Sequence, residues 1–547
     1  MEKSAQLTLP FLFGKTVEKF GTYNAMALVG EKPLTYNEVN RQISGLMRFL
    51  EDLNIQPGDK VAILSTNLPN WGIVYFAVTF MGAVAVPLLP DFLPSEIENI
   101  LKHSEAKAIF FSEKLNSKID QIQAKNLKHR IRIEDFTLIT NDLNPPVYDA
   151  GAVCNKMYKV EEDDLAAIIY TSGTTGSSKG VMLSHKNICF TAENAQCVRI
   201  VHERDRFLSI LPMSHTYENT LGFVMPLLKG TCVYYLGKQP TPSVLLPALL
   251  EVKPTMMFAV PLIIEKIYRN KILPAFTKKW PIRQLYKVPF IRKKLHEIAG
   301  KKLMQTFGGE INFFGIGGAK LDKTVEQFLI EAKFPYSIGY GLTETSPLLA
   351  GMKVFESRLQ STGPAITGVE LKINNPDLKT GEGEIWAKGP NVMKGYYKEP
   401  ELTAEVITSD GWFKTGDLGK FDKDKFLYIR GRLKNIIIGS SGENIFPEEI
   451  ESVINNFPDV VESLVVQQKG KLVAMVFLNM EELQSKYSEL VEKGSKLADQ
   501  KMNELLKELQ MYVNQHVNKF SQVQAIMIQH EPFQKTATQK IKRYLYN

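Results

Sequence analysis

The stretch LAAIIYTSGTTGSSKG, residues 165–180, joins a short apolar run to a loop dense in hydroxyls and glycines. The first six residues predict a buried strand, because they are apolar, short and rich in isoleucine. In the loop, glycines let backbone N–H groups approach an oxyanion, hydroxyls donate hydrogen bonds and Lys179 supplies a mobile positive charge. The stretch therefore predicts a phosphate cradle between a strand and a helix, for which we expect residues 186–195.

The spacing of this loop differs from that of the P-loop nucleotide hydrolases. Their pattern places Gly directly before the lysine and Ser or Thr directly after it. Here Ser178 precedes Lys179 and Gly180 follows it. A hydrolase of that type is disfavoured, and so is a flexible Ser/Gly linker, because the loop is flanked by a hydrophobic strand and a helical segment.

Outward from the loop, apolar runs of strand length alternate with segments of helical spacing, for example a helix over 37–52 and a strand over 60–64. This alternation predicts a layered α/β domain with a mainly parallel sheet. Short strands separated by Gly and Asp turns over 383–429 predict a β-rich subdomain. After this subdomain the sequence predicts a separate set of elements: a helix over 447–456, two strands joined by Lys469-Gly470 and a long polar helix over 480–520.

Length and these patterns together predict two domains. A chain of 547 residues exceeds the size at which one hydrophobic core keeps growing. We therefore expect a large N-terminal domain of layered α/β subdomains with a β-rich subdomain, residues 1–433, and a small mobile C-terminal α/β domain, residues 434–547.

One segment imitates a membrane span, since residues 71–90 carry no charge. Gly82 and Pro87 argue against a spanning helix. We expect a buried helix over 71–81 followed by a buried strand over 83–86. The start of the chain, residues 1–15, lacks the pattern of a secretory signal, and the four cysteines show no paired CxxC spacing. A reduced, cytoplasmic setting is the expectation.

The net charge of +7 is unevenly spread. Residues 266–302 hold twelve Lys and Arg against the single acidic residue Glu297, with Trp280, Tyr286 and Phe290 among them. Such a stretch is a solvated helix face, a surface that meets anionic phospholipid, or one that steers polyanionic substrates. Nucleic acid is not expected as a partner, because no recognition motif accompanies the charge.

The loop resembles the signature of the adenylate-forming (AMP-binding) superfamily, which contains acyl-CoA synthetases, luciferases and nonribosomal peptide adenylation domains. Further motifs follow in the family's order: Tyr340-Gly341-Leu342-Thr343-Glu344-Thr345, Thr415-Gly416-Asp417, Gly431-Arg432-Leu433-Lys434, Gly442-Glu443-Asn444, Pro447-Glu448-Glu449 and Thr536-Ala537-Thr538-Gln539-Lys540. The ordered set spans most of the chain and is a strong signal.

The resemblance implies roles for individual residues. Lys540 is the cation that meets the carboxylate and the α-phosphate of ATP, and the loop with Lys179 holds the β- and γ-phosphates. Glu344 and Thr171 are the implied Mg²⁺ ligands. The nucleotide and coenzyme A would be contacted by Thr171, Ser172, Gly173, Thr174, Thr175, Lys179, Gly318, Ala319, Tyr340, Gly341, Thr343, Asp417, Arg432, Lys434, Gly442 and Glu443.

Within that set the resemblance assigns Asp417 to the ribose, Arg432 to the ribose or a phosphate and Tyr340 to the adenine. Lys434 is the implied hinge, about which the C-terminal domain swings until Gly442 and Glu443 line the coenzyme A tunnel. Gly317 would lie against the acyl group. His215 is either a wall of the acyl pocket or a core histidine.

The resemblance implies an enzyme that activates a fatty acid as acyl-AMP, releases pyrophosphate and forms a thioester with coenzyme A. Three features resemble long-chain members: Gln539 before the final lysine, the run LPMSHTYEN over 211–219 and the basic stretch. We therefore expect a long-chain fatty acid–CoA ligase in the cytoplasm, with peripheral contact to the inner membrane face as an open alternative. The alternative acceptor is an acyl carrier protein.

Overall fold

The computed structural model describes residues 6–172, 178–439, 443–480, 483, 495–536 and 540–546. Its strands are β1 Asn24–Leu28, β2 Leu34–Thr35, β3 Lys60–Leu64, β4 Val84–Leu88, β5 Ala108–Phe111, β6 His129–Arg132, β7 Leu138–Ile139, β8 Leu165–Ser172, β9 Ser178–Ser184, β10 Arg206–Ser209, β11 Cys232–Tyr235, β12 Met256–Ala259, β13 Phe313–Ile316, β14 Tyr336–Gly341, β15 Leu348–Gly351, β16 Glu370–Asn374, β17 Gly383–Lys388, β18 Gly395–Tyr396, β19 Phe413–Phe421, β20 Leu427–Arg432, β21 Ile437–Ile438, β22 Asn444–Ile445, β23 Val460–Gln468, β24 Lys471–Leu478 and β25 Ala525–Gln529.

The α-helices are α1 Leu9–Phe20, α2 Tyr36–Asp52, α3 Pro69–Phe80, α4 Pro94–Ser104, α5 Asn116–Ile119, α6 His185–Asn194, α7 Met225–Leu228, α8 Pro242–Val252, α9 Pro261–Ile267, α10 Leu273–Thr277, α11 Trp280–Tyr286, α12 Pro289–Thr306, α13 Lys323–Glu331, α14 Pro400–Val406, α15 Pro447–Ile454 and α16 Ser495–His516. Two π-helices, Tyr217–Val224 and Tyr268–Ile272, interrupt the α-helical segments.

Two eight-stranded sheets form the centre of the described chain. Their orders are β15-β14-β13-β12-β10-β11-β1-β2 and β18-β9-β8-β4-β3-β5-β6-β7. Inner strands pair in parallel and the antiparallel pairs lie towards the edges. The predicted α/β class and mainly parallel pairing are confirmed. The division into two sheets was not predicted, because a run of strand-helix units does not reveal which sheet each strand joins.

The uncharged segment after Pro69 is a buried helix and strand, as expected. In α3 every residue from Trp71 to Phe80 is buried, which explains why the helix is apolar on all sides. Trp71, Tyr75 and Phe76 pack against Phe223 of the first π-helix. No helix within the described residues has both the length and the apolar character needed to cross a membrane.

The later chain forms two smaller sheets. The antiparallel sheet β16-β17-β19-β20 is the predicted β-rich subdomain. Farther on, β23, β24 and β25 form a three-stranded sheet, and α15 and α16 contribute to the apolar core beside it. Lys469 and Gly470 join β23 to β24 with φ of 49° and 76°, the left-handed conformation that a tight hairpin requires.

The polar helix predicted over 480–520 ends earlier, at His516. Near the end of the helix, Asn514 holds the returning chain, because its side chain bonds both the N–H and the C=O of Val523. Part of the predicted helix, residues 484–494, lies outside the described residues.

Candidate active site

The predicted phosphate loop connects two antiparallel strands. Thr171 and Lys179 are registered partners across β8 and β9, and the helix begins only at His185. The expectation that the loop leads directly into a helix was therefore wrong. The helix begins later because Ser184, at the end of β9, caps it. The Ser184 side chain accepts a hydrogen bond from the N–H of Asn187 and so fixes the start of the helix after β9. Ser172 ends β8, and the predicted residues Gly173, Thr174 and Thr175 lie outside the described residues.

Lys179 and Glu344 converge on the ring of Tyr396. The Lys179 Nζ lies 5.2 Å from the ring centroid, and the Tyr396 hydroxyl donates to Glu344 Oε1 at 2.9 Å. Tyr396 lies on the short strand β18, opposite Val181 of β9. Burial and the Glu344 carboxylate raise the pKa of Tyr396, so the phenol stays a donor. Sequence reasoning missed Tyr396, because no periodicity marks a two-residue edge strand.

Asp417 is the centre of a second cluster. Its Oδ1 lies 2.8 Å from Arg432 Nε, and its Oδ2 accepts from the Tyr340 hydroxyl at 2.7 Å. Asp417 and Arg432 are cross-strand partners on β19 and β20, so the sheet register brings them together. Burial raises the pKa of Asp417, while Arg432 and the Tyr340 hydrogen bond oppose that rise. Each carboxylate oxygen keeps a second lone pair for a further donor.

Lys540 comes from the end of the chain and reaches both clusters. Although it is exposed, the protein around its ammonium lowers its pKa through desolvation and through Arg432, while Asp417 and Glu344 act to raise it. Lys540 also helps to lower the pKa of His215. The ammonium therefore lies within electrostatic range of residues 215, 344, 417 and 432, more than a hundred positions away in sequence.

The segment before and after Lys540 is held in place. The Thr536 N–H donates to the Lys540 carbonyl at 2.8 Å, and Lys535 and Ile541 form a β-bridge. Arg543 forms an ion pair with Glu451 on α15. A further set of contacts ties α15 and its end to the large N-terminal part: Asn456 donates to Asp322 at 2.5 Å and accepts from Arg269 at 3.1 Å.

Three glycines of the predicted site have different surroundings. Gly317 is buried at the end of β13, where a Cβ would come within 3.1 Å of the Tyr217 ring. Gly318 has φ of 84°, which favours glycine. A Cβ at Gly341 would lie 1.8 Å from the Pro347 carbonyl, so backbone packing alone demands glycine there. Ala319 is exposed beside Gly318, and Thr343 begins a 3₁₀ turn that holds Glu344.

His215 is a neutral imidazole at ordinary pH. Burial is the main cause that lowers its pKa to about 4, with Lys540 adding to the effect. Its Nδ1 accepts from the N–H of Tyr217 at 3.2 Å, which assigns the ring proton to Nε2. His215 is thus a hydrogen-bond donor beside Lys540 rather than a second cation.

An apolar cavity of about 40 Å³ begins at Tyr217. Tyr217 both lines this cavity and lies against Gly317, so its side chain stands between that glycine and the cavity. Sequence reasoning did not name Tyr217 as a site residue, because a pattern of apolar and polar residues cannot distinguish a pocket-lining aromatic residue from a core residue. The other lining residues are mostly apolar or small: Ala195, Val198, Arg199, Leu221, Met225, Met256, Phe258, Phe313, Gly315, Ser337, Gly339, Leu348 and Gly351.

The remaining predicted residues lie in the connection to the C-terminal part. Lys434 is exposed in the 3₁₀ turn after β20, and its neighbour Asn435 donates to Glu448 at 2.6 Å. The Glu443 carbonyl accepts from the Gly439 N–H at 2.9 Å in the turn between β21 and β22. Gly442 lies outside the described residues.

The donor set also fits a magnesium ion. Mg²⁺ takes oxygen ligands and is bound in proteins through one or two carboxylates together with substrate phosphates. The Glu344 carboxylate supplies one such ligand at half-buried depth, and the half-buried Thr171 lies on the strand that leads into the phosphate loop. A single carboxylate and a hydroxyl leave room for phosphate oxygens to complete the shell.

Comparison with known proteins gives the family. The model of the AMP-binding enzymes matches residues 13–397, and the chain belongs to that family, within the adenylate-forming superfamily. A long-chain-fatty-acid–CoA ligase from Rattus norvegicus is 28% identical over 86% of this chain and 76% of its own length. A long-chain-fatty-acid–[acyl-carrier-protein] ligase from Arabidopsis thaliana is 28% identical over 88% and 78%. A 4-coumarate–CoA ligase from Solanum tuberosum is 28% identical over 79% and 76%.

Solved structures confirm the fold. ATP-bound MatB from Rhodopseudomonas palustris superposes with a TM-score of 0.76 at 24% identity, covering 99% of this chain and 98% of that one. An o-succinylbenzoate CoA synthetase from Bacillus subtilis, in complex with its acyl-adenylate intermediate, gives 0.76 at 23% identity over 98% of both chains. The architecture of a large N-terminal and a small C-terminal α/β part is thus confirmed.

Proposed function

We propose that the protein is an ATP-dependent acyl-CoA ligase that acts on fatty acids, with long-chain acids as the preferred class. In the first step a carboxylate oxygen attacks the α-phosphorus of ATP, the bond from that phosphorus to the α,β-bridging oxygen breaks, and pyrophosphate leaves with that oxygen while acyl-AMP remains. In the second step the thiol of coenzyme A attacks the acyl carbon and AMP leaves. The observation that carries the proposal is the convergence of Lys540, Arg432, Asp417 and Glu344.

The arrangement answers the main obstacle to the first step, the repulsion between a carboxylate and a polyphosphate. Two unit charges 4 Å apart repel by roughly 4 kcal/mol at an effective dielectric near 20. A cation at the position of Lys540 offsets that repulsion, and the neighbouring protein and Arg432 lower its pKa. Lys179, whose ammonium lies over the ring of Tyr396, would neutralise the charge of the leaving pyrophosphate.

The other residues bind and orient. Asp417 would accept from the ribose hydroxyls with its free lone pairs, while Arg432 holds the carboxylate in place. Glu344 and Thr171 would hold Mg²⁺, which screens phosphate charge when it is bound. His215 would donate from Nε2 to an oxygen of the reacting groups. Tyr217 would mark the entrance of the acyl chain into the apolar cavity.

Long-chain acids are favoured by the names of relatives such as the rat ligase and by the apolar lining of the cavity. The cavity holds only roughly three water-sized spheres, so a long acyl chain needs Tyr217 and its neighbours to move. A 4-coumarate–CoA ligase is equally similar, which makes aromatic acids the control substrates.

We further propose that residues 434–547 turn as a unit about Lys434 between the two steps. Lys540 would leave, and the segment with Gly442 and Glu443 would enter beside the pantetheine arm. The turn requires the contacts of Asn456 with Asp322 and Arg269 to break. Ser452, 3.5 Å from Asp322, and Glu449, which pairs with Lys320 and Arg430, must also separate. These contacts are polar, which suits an interface that opens in every cycle.

The experiment measures pyrophosphate release with ATP and Mg²⁺ across fatty acids of rising length and 4-coumarate, with and without coenzyme A. Release that peaks at a long acyl chain and accelerates with coenzyme A supports the proposal. A maximum at 4-coumarate would reassign the substrate. Release that stalls with coenzyme A but resumes with a holo acyl carrier protein would support the acceptor named for the Arabidopsis relative.

A further inference from the structure

Residues 210–216, here called the β10 loop, connect β10 to the first π-helix and carry His215. Most of the loop is irregular backbone, with turns and bends in place of a helix or strand. Such a segment needs hydrogen-bond partners from elsewhere in the chain to hold one shape. The place of His215 in the candidate active site therefore depends on what holds the β10 loop.

Asn67 holds this loop from the other large sheet, since it lies between β3 of that sheet and α3. Its Nδ2 donates to the Leu211 carbonyl at 2.6 Å and to Ser209 Oγ at 3.0 Å. Its Oδ1 accepts from the Met213 N–H at 2.9 Å. A carbonyl only accepts and an N–H only donates, so these two backbone partners fix the orientation of the amide. One side chain thus clamps the loop across two sheets.

The clamped residues lead directly to His215. Its N–H donates at 2.9 Å to the carbonyl of Pro212, which lies between the two loop residues that Asn67 binds. On its other side, the His215 carbonyl accepts from the Asn219 N–H at 2.9 Å, and its Nδ1 accepts from the Tyr217 N–H. His215 is therefore tied to the clamped turn before it and to the π-helix after it.

The clamp has no substitute in the part of the chain that the structure describes. There, no side chain other than Asn67 forms a hydrogen bond with the backbone of residues 210–214. Removal of the amide would leave the Leu211 carbonyl and the buried Met213 N–H without that partner. The loop would then be free to settle in another shape, and His215 would move with it.

We propose that Asn67 is a positioning residue of the ligase reaction, which holds His215 through the β10 loop so that Nε2 faces the reacting groups. The inference rests on the proposed function, in which His215 donates to an oxygen of those groups. A misplacement of about 1 Å by a residue away from the chemistry can cost roughly 10²-fold in rate. The ribose and phosphate residues lie on other elements, so binding of ATP should not depend on Asn67.

The first variant, Asn67→Ala, removes all three hydrogen bonds. It should lower kcat/KM for the fatty acid that the wild type activates best by about tenfold to a hundredfold, with the KM for ATP unchanged. Asn67→Asp keeps the size of the side chain but sets an oxygen against the Leu211 carbonyl where Nδ2 donates now. It should lower kcat/KM at least as far, and it carries the test if the alanine variant does not fold.

Asn70 provides a matched control on the first turn of α3. It is half-buried like Asn67, and its Nδ2 donates to the carbonyls of Ile133 at 2.8 Å and Glu134 at 2.9 Å. These partners follow β6 and form no part of the candidate active site. Asn70→Ala thus removes a comparable set of hydrogen bonds to a distant backbone, and it should leave kcat/KM for the fatty acid unchanged.

A double-mutant cycle separates positioning from general stability. If Asn67 acts through His215, Asn67→Ala should cost little more once His215→Ala has removed the imidazole, so the two losses in kcat/KM should not multiply. Hydrogen exchange gives a second readout that needs no turnover. Amide exchange over residues 211–217 should rise by at least about tenfold in Asn67→Ala and stay unchanged in Asn70→Ala.

Equal losses of kcat/KM in Asn67→Ala and Asn70→Ala would overturn the proposal. So would losses that multiply fully with His215→Ala, or exchange that is unchanged over residues 211–217. Failure of the proposed function has a different signature, because the wild type itself would then release no pyrophosphate with any fatty acid. The exchange result would still decide whether Asn67 holds the loop.

Discussion

The two sides of the candidate active site are built in opposite ways. On the nucleotide side, Asp417, Tyr340 and Arg432 already hold one another by short hydrogen bonds on adjacent elements. On the acyl side, Tyr217 closes a cavity of about 40 Å³ beneath a π-helix. Under the proposed function, this difference corresponds to a preformed nucleotide site and an acyl site that must rearrange. π-helical turns occur frequently at functional sites, which fits this division.

Beside Tyr217 in the π-helix lies a second buried acid, Glu218, whose surroundings differ from those of Asp417. Neither Glu218 oxygen has a hydrogen-bond partner among the described residues, although Ser209 lies close enough to influence it. Burial raises the pKa of Glu218 to about 8. A Cβ at Gly222 would come within 2.5 Å of the carboxyl carbon, so glycine leaves the room that this side chain occupies. Glu218 is therefore a neutral acid at pH 7.

The largest expected effect concerns the cation that enters from the C-terminal part. Lys540→Ala should slow pyrophosphate release by about 10²- to 10³-fold, because it removes the charge that offsets carboxylate–phosphate repulsion. Thioester formation from supplied acyl-AMP should stay close to the wild-type rate. Equal loss of both half-reactions would contradict the two-state account. Lys542→Ala, two residues on, is the control.

Asp417→Asn tests the preformed nucleotide side. It should raise the KM for ATP by about tenfold to a hundredfold, since it removes a ribose acceptor and leaves Arg432 without its partner. Steady-state kinetics at saturating fatty acid measures the change. The control is Asp422→Asn, just after the end of the same strand, β19. It breaks a comparable ion pair, in which Asp422 lies 2.6 Å from Arg358, and it should leave the KM for ATP unchanged. If the KM for ATP rose equally in both variants, the effect would come from a loss of sheet stability and not from loss of a ribose contact.

Tyr217→Ala tests the acyl side. Removal of the ring opens the cavity towards Gly317, so kcat/KM for the longest acids should rise relative to short ones by several-fold to about tenfold. The preference is measured as a ratio between two acids, which cancels general losses of activity. Tyr217→Phe keeps the shape and should keep the wild-type ratio. An unchanged ratio in the alanine variant would remove Tyr217 from the acyl path.

The smallest effect is the pH dependence contributed by Glu218. Its pKa is about 8 when folded and near 4.3 when unfolded, so between these values only the folded chain keeps the proton. The free energy of unfolding should therefore fall by about 1.4 kcal/mol per pH unit from this group as pH rises, and level off above pH 8.

The variant Glu218→Gln keeps the shape of the side chain but removes the group that titrates. Urea unfolding of both proteins across that range should show the variant gaining stability relative to wild type as pH rises. Parallel curves would mean that Glu218 is ionised in the folded protein.

Much of the fold could be predicted because apolar runs and helical spacing are local signals. The helix through Trp71 and the hairpin at Lys469-Gly470 were found in this way. The strand over 178–184 was missed, because a polar start followed by VMLS does not reveal that it pairs with β8. The position of Lys540 depends on how the two parts of the chain meet, which no local pattern encodes.

The site residues likewise divide into those that a local sequence motif marks and those that only the three-dimensional contacts reveal. Motif resemblance named Glu344, Asp417 and Arg432, and their proximity follows from sheet register and a short turn. Tyr396 carries no motif of its own, and Tyr217 belongs to the quoted run over 211–219 but was not named as a site residue; the contacts of both identify them. The roles that the resemblance assigns to all of these residues remain predictions for the variants above.

The most direct test is a single turnover of the wild-type protein with ATP, Mg²⁺ and a long-chain fatty acid in the absence of coenzyme A. Acyl-AMP should form in an amount close to that of the protein, with pyrophosphate in equal amount. Addition of coenzyme A should convert it to acyl-CoA and AMP. Formation of ADP and phosphate, or of thioester without any acyl-AMP on the way, would contradict the account.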